Sequence, residues 1–489
     1  MKKVIVIGSG IAGIATSIRL QAAGYQVSIY EQNTYPGGKL SEIRFHDFRF
    51  DAGPSLFTMP HFVEELFTLC DKKVSDYFSY KKKENICNYF FADGKQFISK
   101  ANQDDFIQNA RKVFDVEEQN LKSYLENSKL KYDRTATLFL EKSLHKLKTY
   151  FSKDTIHAIA SLSSLHLMKS LHQVNSTYFK DKNLIQFFNR FATYNGSNPY
   201  QTPGIMSLIP HLEQYYGTYF PKGGMISITS SLVQLAQEIG VQFHYNSTIE
   251  KIEISEHHAS GVFVNRNFIE ADIVVSNMDI VPTYRKLMPT QKAPERILKQ
   301  ERSSSALIFY WGIEKTFPML DLHNIFFAKD YRAEFEAIFK HDTIADDITV
   351  YVNISSKEQE KDAPPNCENW FVLINAPGNK NQDWEHIIER TRANVIAKLS
   401  DTLKINLNEY ITCESVLDPR TIESKTQSYQ GSLYGAASNS QFAAFMRHPN
   451  FSQKIKNLFF CGGSIHPGGG IPLCLLSAKI TCDLIKTSE

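Results

Sequence analysis

The chain has 489 residues, enough for two or three domains around a sizeable core. Its formal charge of +2 gives no basic surplus that would point to nucleic acid, and 42% hydrophobic residues is ordinary for a folded globular chain. Seven scattered cysteines with no C-x-x-C pair argue against a disulfide framework and a Cys/His metal cluster, and no uncharged apolar window is long enough to span a bilayer. Only Lys2-Lys3 precede the first strand, so no signal peptide is expected. Val4–Ile7 is an apolar, β-branched run that predicts a buried strand. Gly8, Gly10 and Gly13 follow at G-x-G-x-x-G spacing, with Ile11 and Ala12 between the last two. Gly8 permits a tight turn, Gly10 lets backbone approach a pyrophosphate, and Gly13 lets the next helix pack on the strand. That helix is expected to reach about Ala23 and to stop at Gly24. A second strand, Val27–Tyr30, ends in Glu31-Gln32, where a carboxylate can accept hydrogen bonds from ribose hydroxyls. No Arg stands beside it for a 2′-phosphate, which argues against NADP.

Gly37-Gly38-Lys39-Leu40 and Phe50-Asp51-Ala52-Gly53-Pro54-Ser55-Leu56 come next. With these residues the chain resembles the flavin-dependent carotenoid desaturases, the phytoene desaturase family within the larger amine oxidase-like group. The resemblance implies an α/β fold: a Rossmann-like FAD-binding domain interleaved with an α+β substrate domain. It also implies that Gly38, Lys39 and Leu40 extend the FAD fingerprint and that Pro54, Ser55 and Leu56 lie near the flavin. By spacing alone the stretch is a loop with little side-chain bulk.

Further along, Tyr77–Tyr80, Ile86–Phe91 and Lys95–Ile98 read as short strands, with Ala92-Asp93-Gly94 turning the last two. Asp115-x-x-Glu118 resembles a helix-opening capping box. Leu130–Phe151 interleaves Lys131, Arg134, Lys142, Lys146 and Lys148 with apolar residues. Such a helix can lie on an anionic bilayer or simply present a solvated face. Asn189–Gly204 is rich in Gly, Pro and Asn and is expected to be a shaped loop. Its Arg190, Tyr194 and Asn195 either line a substrate channel or close hydrogen bonds within the loop. High aromatic content, 34 Phe and 23 Tyr, fits either a core or the walls of a slot for a long apolar ligand.

After Pro221–Gly224 a helix to about Glu238 is expected, stopped by Gly240, then strands at Val241–Tyr245, Ile249–Ile254, Gly261–Val264 and Ala271–Ser276. The resemblance places Ile249 at the adenine and Asn277-Met278 near the cofactor. Ser305–Gly312, Ile348–Ile354 and Trp370–Pro377 alternate like strands of a mixed sheet; Thr391–Leu403 reads as a helix and Glu358–Asn369 as an exposed charged loop. Leu458–Cys461 is a short strand, Gly462-Gly463 turns it, and His466-Pro467-Gly468-Gly469-Gly470-Ile471-Pro472 leads into a helix to about Ile485. Pro472 suits the first helical turn, and the helix N-terminus can stabilise negative charge on a reduced flavin. Cys461, Cys474 and Cys482 are expected to be buried thiols.

The stretch GGSIHPGGGIPLCLLSAKI closely resembles the desaturase signature. Leu473, where phytoene desaturases usually carry Gly, points to the branch acting on hydroxycarotenoids. His466 is either an acid/base group or a support for the glycine loop. The resemblance thus implies desaturation of a carotenoid at the 3,4 position of a 1-hydroxy substrate, with Gly463, Pro472 and Leu473 at the FAD. Oxygen or a quinone would reoxidise the flavin, and the protein would sit on the cytoplasmic face of the membrane, monotopically. Phytoene desaturase, carotenoid isomerase and a flavin-free lipid-partner binder of the GDI type are the rivals. The expected organisation is 1–74, 221–284 and 426–489 for FAD, 75–220 for a largely helical substrate and membrane region, and 285–425 for a mixed sheet.

Overall fold

The computed structural model describes residues 1–139, 165–440 and 446–488. Its parallel sheet is assembled from distant pieces of the chain. Lys3–Ile7 occupies the centre, flanked by Gln26–Tyr30 on one side and Ile273–Ser276 on the other. Leu458–Phe460 pairs with Ile273–Ser276 and Gln242–His244 with Gln26–Tyr30, all parallel. Buried on both faces, these strands need the near-continuous apolar runs that the sequence supplies. The helices Ile11–Ala22, Ile226–Glu238 and Ile471–Thr487 cover the sheet and share one apolar cluster with it. Gly24 and Gly240 follow two of them at φ of +90° and +100°, left-handed positions that suit glycine. Ile249–Ser255, His258–Val264 and Asn267–Glu270 form a small antiparallel sheet beside it.

The second layer is a seven-stranded sheet. Its order is Ile411–Leu417, Ser305–Ile313, Glu368–Ala376, Val350–Asn353, His323–Phe326, Asn85–Phe90 and Gln96–Lys100. All neighbours are antiparallel except His323–Phe326 with Asn85–Phe90, which run parallel. The hairpin closed by Ala92–Gly94 therefore leaves the helical region and completes a sheet whose other strands come more than two hundred residues later.

Several local expectations are corrected. Tyr77–Tyr80 is not a strand: a 3₁₀ turn covers Val74–Asp76, and the strand is Tyr80–Lys82, paired with Tyr219–Pro221. The helix expected after Asp115 begins at Glu118, and the one expected from Thr391 begins at Trp384, where Asp383 caps it through the backbone of His386. The Asn189–Gly204 stretch contains a 3₁₀ turn, Arg190–Asn195, ended by Gly196 at φ +61°. Glu358–Asn369 is an exposed loop only in part, at Glu360, Lys361, Pro365 and Asn366. Asp362, Glu368 and Asn369 are buried, because the charges there are spent on Arg49, Lys357 and backbone groups. Lys131 does not belong to a solvated basic face either. It is buried, its Nζ 2.6 Å from Ser207 Oγ, and burial pushes it down to about 8. The rest of that face, from residue 136 onward, lies outside the described side chains. Among the described residues, no helix is long and apolar enough to cross a membrane.

Candidate active site

A cavity of about 880 Å³ runs between the two layers. At one end stands the turn after the first strand. Gly8 has φ +89° and donates its N–H to Tyr30 O. Asn277 packs against this turn: a Cβ on Gly10 would lie 2.6 Å from Asn277 Oδ1. The same side chain reaches the C-terminal motif. Its Nδ2 donates to Cys461 O at 3.2 Å and would meet a Cβ on Gly462 at 2.5 Å. The two ends of the chain thus meet around Asn277, each through a residue without a side chain. Gly37 N donates to Ser9 O, which seats the second glycine pair on the first.

Of the residues singled out in the sequence, Gly8, Gly10, Ile11, Ala12, Glu31, Gln32, Gly38, Lys39 and Leu40 line the cavity. So do Pro54, Ser55, Leu56, Arg190, Ile249, Asn277, Met278, Gly463 and Pro472. Gly13, His466 and Leu473 stand behind the wall. Gly13 serves packing, since a Cβ there would lie 2.3 Å from Gly8 O. Gly13→Ala is therefore expected to cost about 1–3 kcal/mol by overpacking, read as a lowered melting temperature. Leu473 packs on the apolar cluster of the parallel sheet. His466 is buried, and its backbone is held on both sides, its N–H donating to His448 O and its carbonyl accepting from Asn450 Nδ2. Cys461 and Cys482 are buried, whereas Cys474 is only half-buried because it faces the cavity.

Glu31 lines the cavity just after the strand Gln26–Tyr30. One of its oxygens accepts from Ser9 N and Oγ, the other from Asn33 N and Nδ2, fixing the carboxylate in place. Near the C-terminal loop three cations converge on one segment. Lys39 Nζ donates to the carbonyls of Ser432 (2.8 Å) and Leu433 (3.0 Å). Arg447 donates to the carbonyls of Tyr434, Gly463 and Ala436. Arg302 pairs with Asp279 and donates to Ser432 Oγ. Lys39 and Arg447 have only carbonyl partners among those hydrogen bonds. Burial pushes Lys39 down to about 8, with Asp279 pulling the other way, and pushes Arg447 down to about 10. Lys39 lines the cavity with only carbonyls as hydrogen-bond partners, so an anion there would stabilise its charged form. Gly470, at φ +102°, precedes the helix Ile471–Thr487 and lines the same space, so a helix N-terminus adds to the positive field.

Farther along, Arg190 pairs with Glu213 at 2.9 Å, and Tyr194 donates to the same carboxylate at 3.0 Å. Arg190 and Tyr194 line the cavity, and their side chains close hydrogen bonds not within the loop but on Glu213, beyond it. Asn195 is not in the wall; its Nδ2 donates to Ser438 Oγ. Ile86, Ile308, Ile325, Tyr310 and Leu373 give the remaining wall an apolar face. Sequence reasoning missed Arg447, Tyr434, His323 and Tyr351. The small residues of Leu433–Ser438 signalled one of these, since a Cβ on Gly435 would lie 2.6 Å from Ser464 Cα. No local signal marked the others. No group of His, Cys, Asp and Glu suited to a metal occurs among the described residues.

A glycine turn between strand and helix, a fixed acid at the end of the second strand and a buried lysine, all on one cavity that continues into an apolar slot, are the layout of a dinucleotide-binding protein. The chain belongs to the flavin-containing amine oxidoreductase family, whose model matches residues 11–486. It is 54% identical, over the full length of both chains, to a 1-hydroxycarotenoid 3,4-desaturase of Flavobacterium sp. (strain P99-3). It is 32% identical to a 4,4'-diapolycopene oxygenase of Methylomonas sp., covering 99% of this chain and 98% of that one. A putrescine oxidase variant shares the fold at TM-score 0.67 and 13% identity, covering 100% and 99% of the two chains. The cofactor is FAD, and the residues present fit it: Cβ-free backbone at Gly8, Gly10 and Gly38, the fixed Glu31 carboxylate, and the Lys39 ammonium.

Proposed function

We propose that this oxidoreductase desaturates a carotenoid, placing a double bond at the 3,4 position of a 1-hydroxy substrate. One observation carries the reading: the FAD-binding glycines and the apolar face of the seven-stranded sheet line a single continuous cavity. The likeness to the Flavobacterium enzyme supports it. FAD, when bound, supplies a hydride acceptor. This chain's residues bind a polyene along Ile86, Ile308, Ile325 and Leu373, align it, and exclude water from the reacting carbons. A neighbouring carbon loses its proton, so the product is two hydrogens lighter for each new double bond. Oxygen or a quinone serves as the final acceptor.

The protein works on the cytoplasmic face of the membrane, where such a substrate resides. Exposed Leu130, on the helix Glu118–Phe139, and exposed Tyr215, stacked on His211 beside that helix, support this contact. The test supplies single C40 carotenoids in vesicles with FAD. A product lighter by two hydrogens is expected from the 1-hydroxy substrate. A product of unchanged mass would make the chain an isomerase, and equal turnover of phytoene would overturn the hydroxycarotenoid assignment. Sedimentation with anionic vesicles is expected; protein left in the supernatant would overturn the membrane contact.

A further inference from the structure

Three side chains of the cavity wall form a hydrogen-bond chain with a fixed direction. Ser55 Oγ lies 2.8 Å from the Tyr351 hydroxyl, which lies 2.7 Å from His323 Nδ1. Asn353 Nδ2 lies 3.2 Å from that same Nδ1 and 3.0 Å from Leu322 O. An amide NH₂ group only donates, so Nδ1 is an acceptor and the ring proton sits on Nε2. Tyr351 therefore gives its single hydrogen to His323 and can only accept from Ser55. Ser55 in turn spends its hydrogen on Tyr351. Both oxygens keep free lone pairs and neither has a hydrogen left to offer. Burial pushes His323 down to about 3, so the ring stays neutral and this polarity holds across the ordinary pH range.

Ser55, Tyr351 and His323 all line the cavity. An oxygen pair that only accepts, set among aliphatic and aromatic walls, matches the hydrogen of an alcohol. Glu213, a charged acceptor in the same wall, is already filled by Arg190 and Tyr194. We propose that Ser55 and Tyr351 dock the terminal hydroxyl of the substrate and so select 1-hydroxy carotenoids, with His323 as the positioning residue that sets the direction of the chain. This rests on the desaturase reading above. A single carbon separates C1 from C3 in such a substrate, so the dock has to stand beside the reacting bond. Ser55 shares the cavity with Gly8, Gly10 and Lys39, and its segment packs on the fingerprint loop, where a Cβ on Gly53 would lie 1.8 Å from the backbone oxygen of Lys39.

The test compares Tyr351→Phe and Ser55→Ala with wild type, as FAD-loaded proteins in vesicles, on a 1-hydroxy carotene and on the same carotene without the hydroxyl. Flavin absorbance and melting temperature verify folding of each variant. The ratio of the two kcat/KM values is expected to fall about tenfold in Tyr351→Phe, with the loss in KM of the hydroxylated substrate, and by less in Ser55→Ala. Wild type active on both substrates, with an unchanged ratio in both folded variants, would overturn the dock alone. Wild type active on neither would overturn the desaturase reading, and the dock with it.

Discussion

Arg49→Met is expected to lower folding free energy by about 3–5 kcal/mol, as removal of one member of a buried ionic group does. Arg49 is buried and pairs with Glu42, Asp51 and Asp362. Asp51 also accepts from Met225 N and Ile226 N, capping the helix Ile226–Glu238 from far away in sequence. Asp362 lies in the short turn Glu360–Asp362, between strands of the seven-stranded sheet. One guanidinium therefore ties the hairpin after the FAD fingerprint to a helix of the parallel sheet and to the edge of the substrate layer. Without it, two buried carboxylates face each other with no cation between them. A carboxylate whose folded pKa is raised loses stability at high pH and regains it as pH falls and the proton returns. Burial already pushes Asp51 up in the intact protein. The deficit of Arg49→Met is thus expected to shrink as pH falls and Asp51 takes up its proton. Denaturant unfolding at several pH values measures this; a deficit under about 1 kcal/mol at pH 8 would show that the group is held by packing instead.

The elements that the sequence announces are those whose signals are local. Gly8, Gly10 and Gly13 sit at a strand–helix junction, Pro472 opens a helix, and Gly24 and Gly240 close two others; each acts through its own backbone. Of the cavity wall, Gly8, Gly10 and Glu31 are readable in the same way, whereas Gly38–Leu40, Pro54–Leu56, Ile249 and Asn277-Met278 come only from the family resemblance. The polar interior was not. Arg49 with Asp362 and Tyr351 with Ser55 are contacts between residues hundreds of positions apart, and neither residue type nor spacing announces them. The errors share one cause. The charges of Lys131, Asp362 and Glu368 suggest contact with water or a bilayer surface, but they are spent inside the fold on Ser207, Arg49 and Lys357. Charge in a sequence reports a need for partners, and only the fold decides whether water or protein meets it.

That same need yields the second large effect, at Lys39. In the cofactor-free chain, burial holds this ammonium at about 8 against an ordinary 10.5. Its charged form therefore costs stability, and the cofactor-free chain should gain stability as pH rises from about 8 toward 10.5. An anion in the cavity favours the ammonium and raises its pKa. FAD binding above about pH 8 then takes up a proton, so affinity should be flat below that point and fall by up to about tenfold per pH unit above it. Lys39→Met removes the cation. It is expected to weaken FAD binding by roughly thirtyfold, about 2 kcal/mol, and to abolish the slope. Flavin fluorescence titrations from roughly pH 7 to 9.5, on wild type and variant, read both quantities. A slope that survives in Lys39→Met would assign the proton to another group. A wild type whose affinity does not change over that range would mean that the positive field near Tyr434 is not what holds the cofactor's charge.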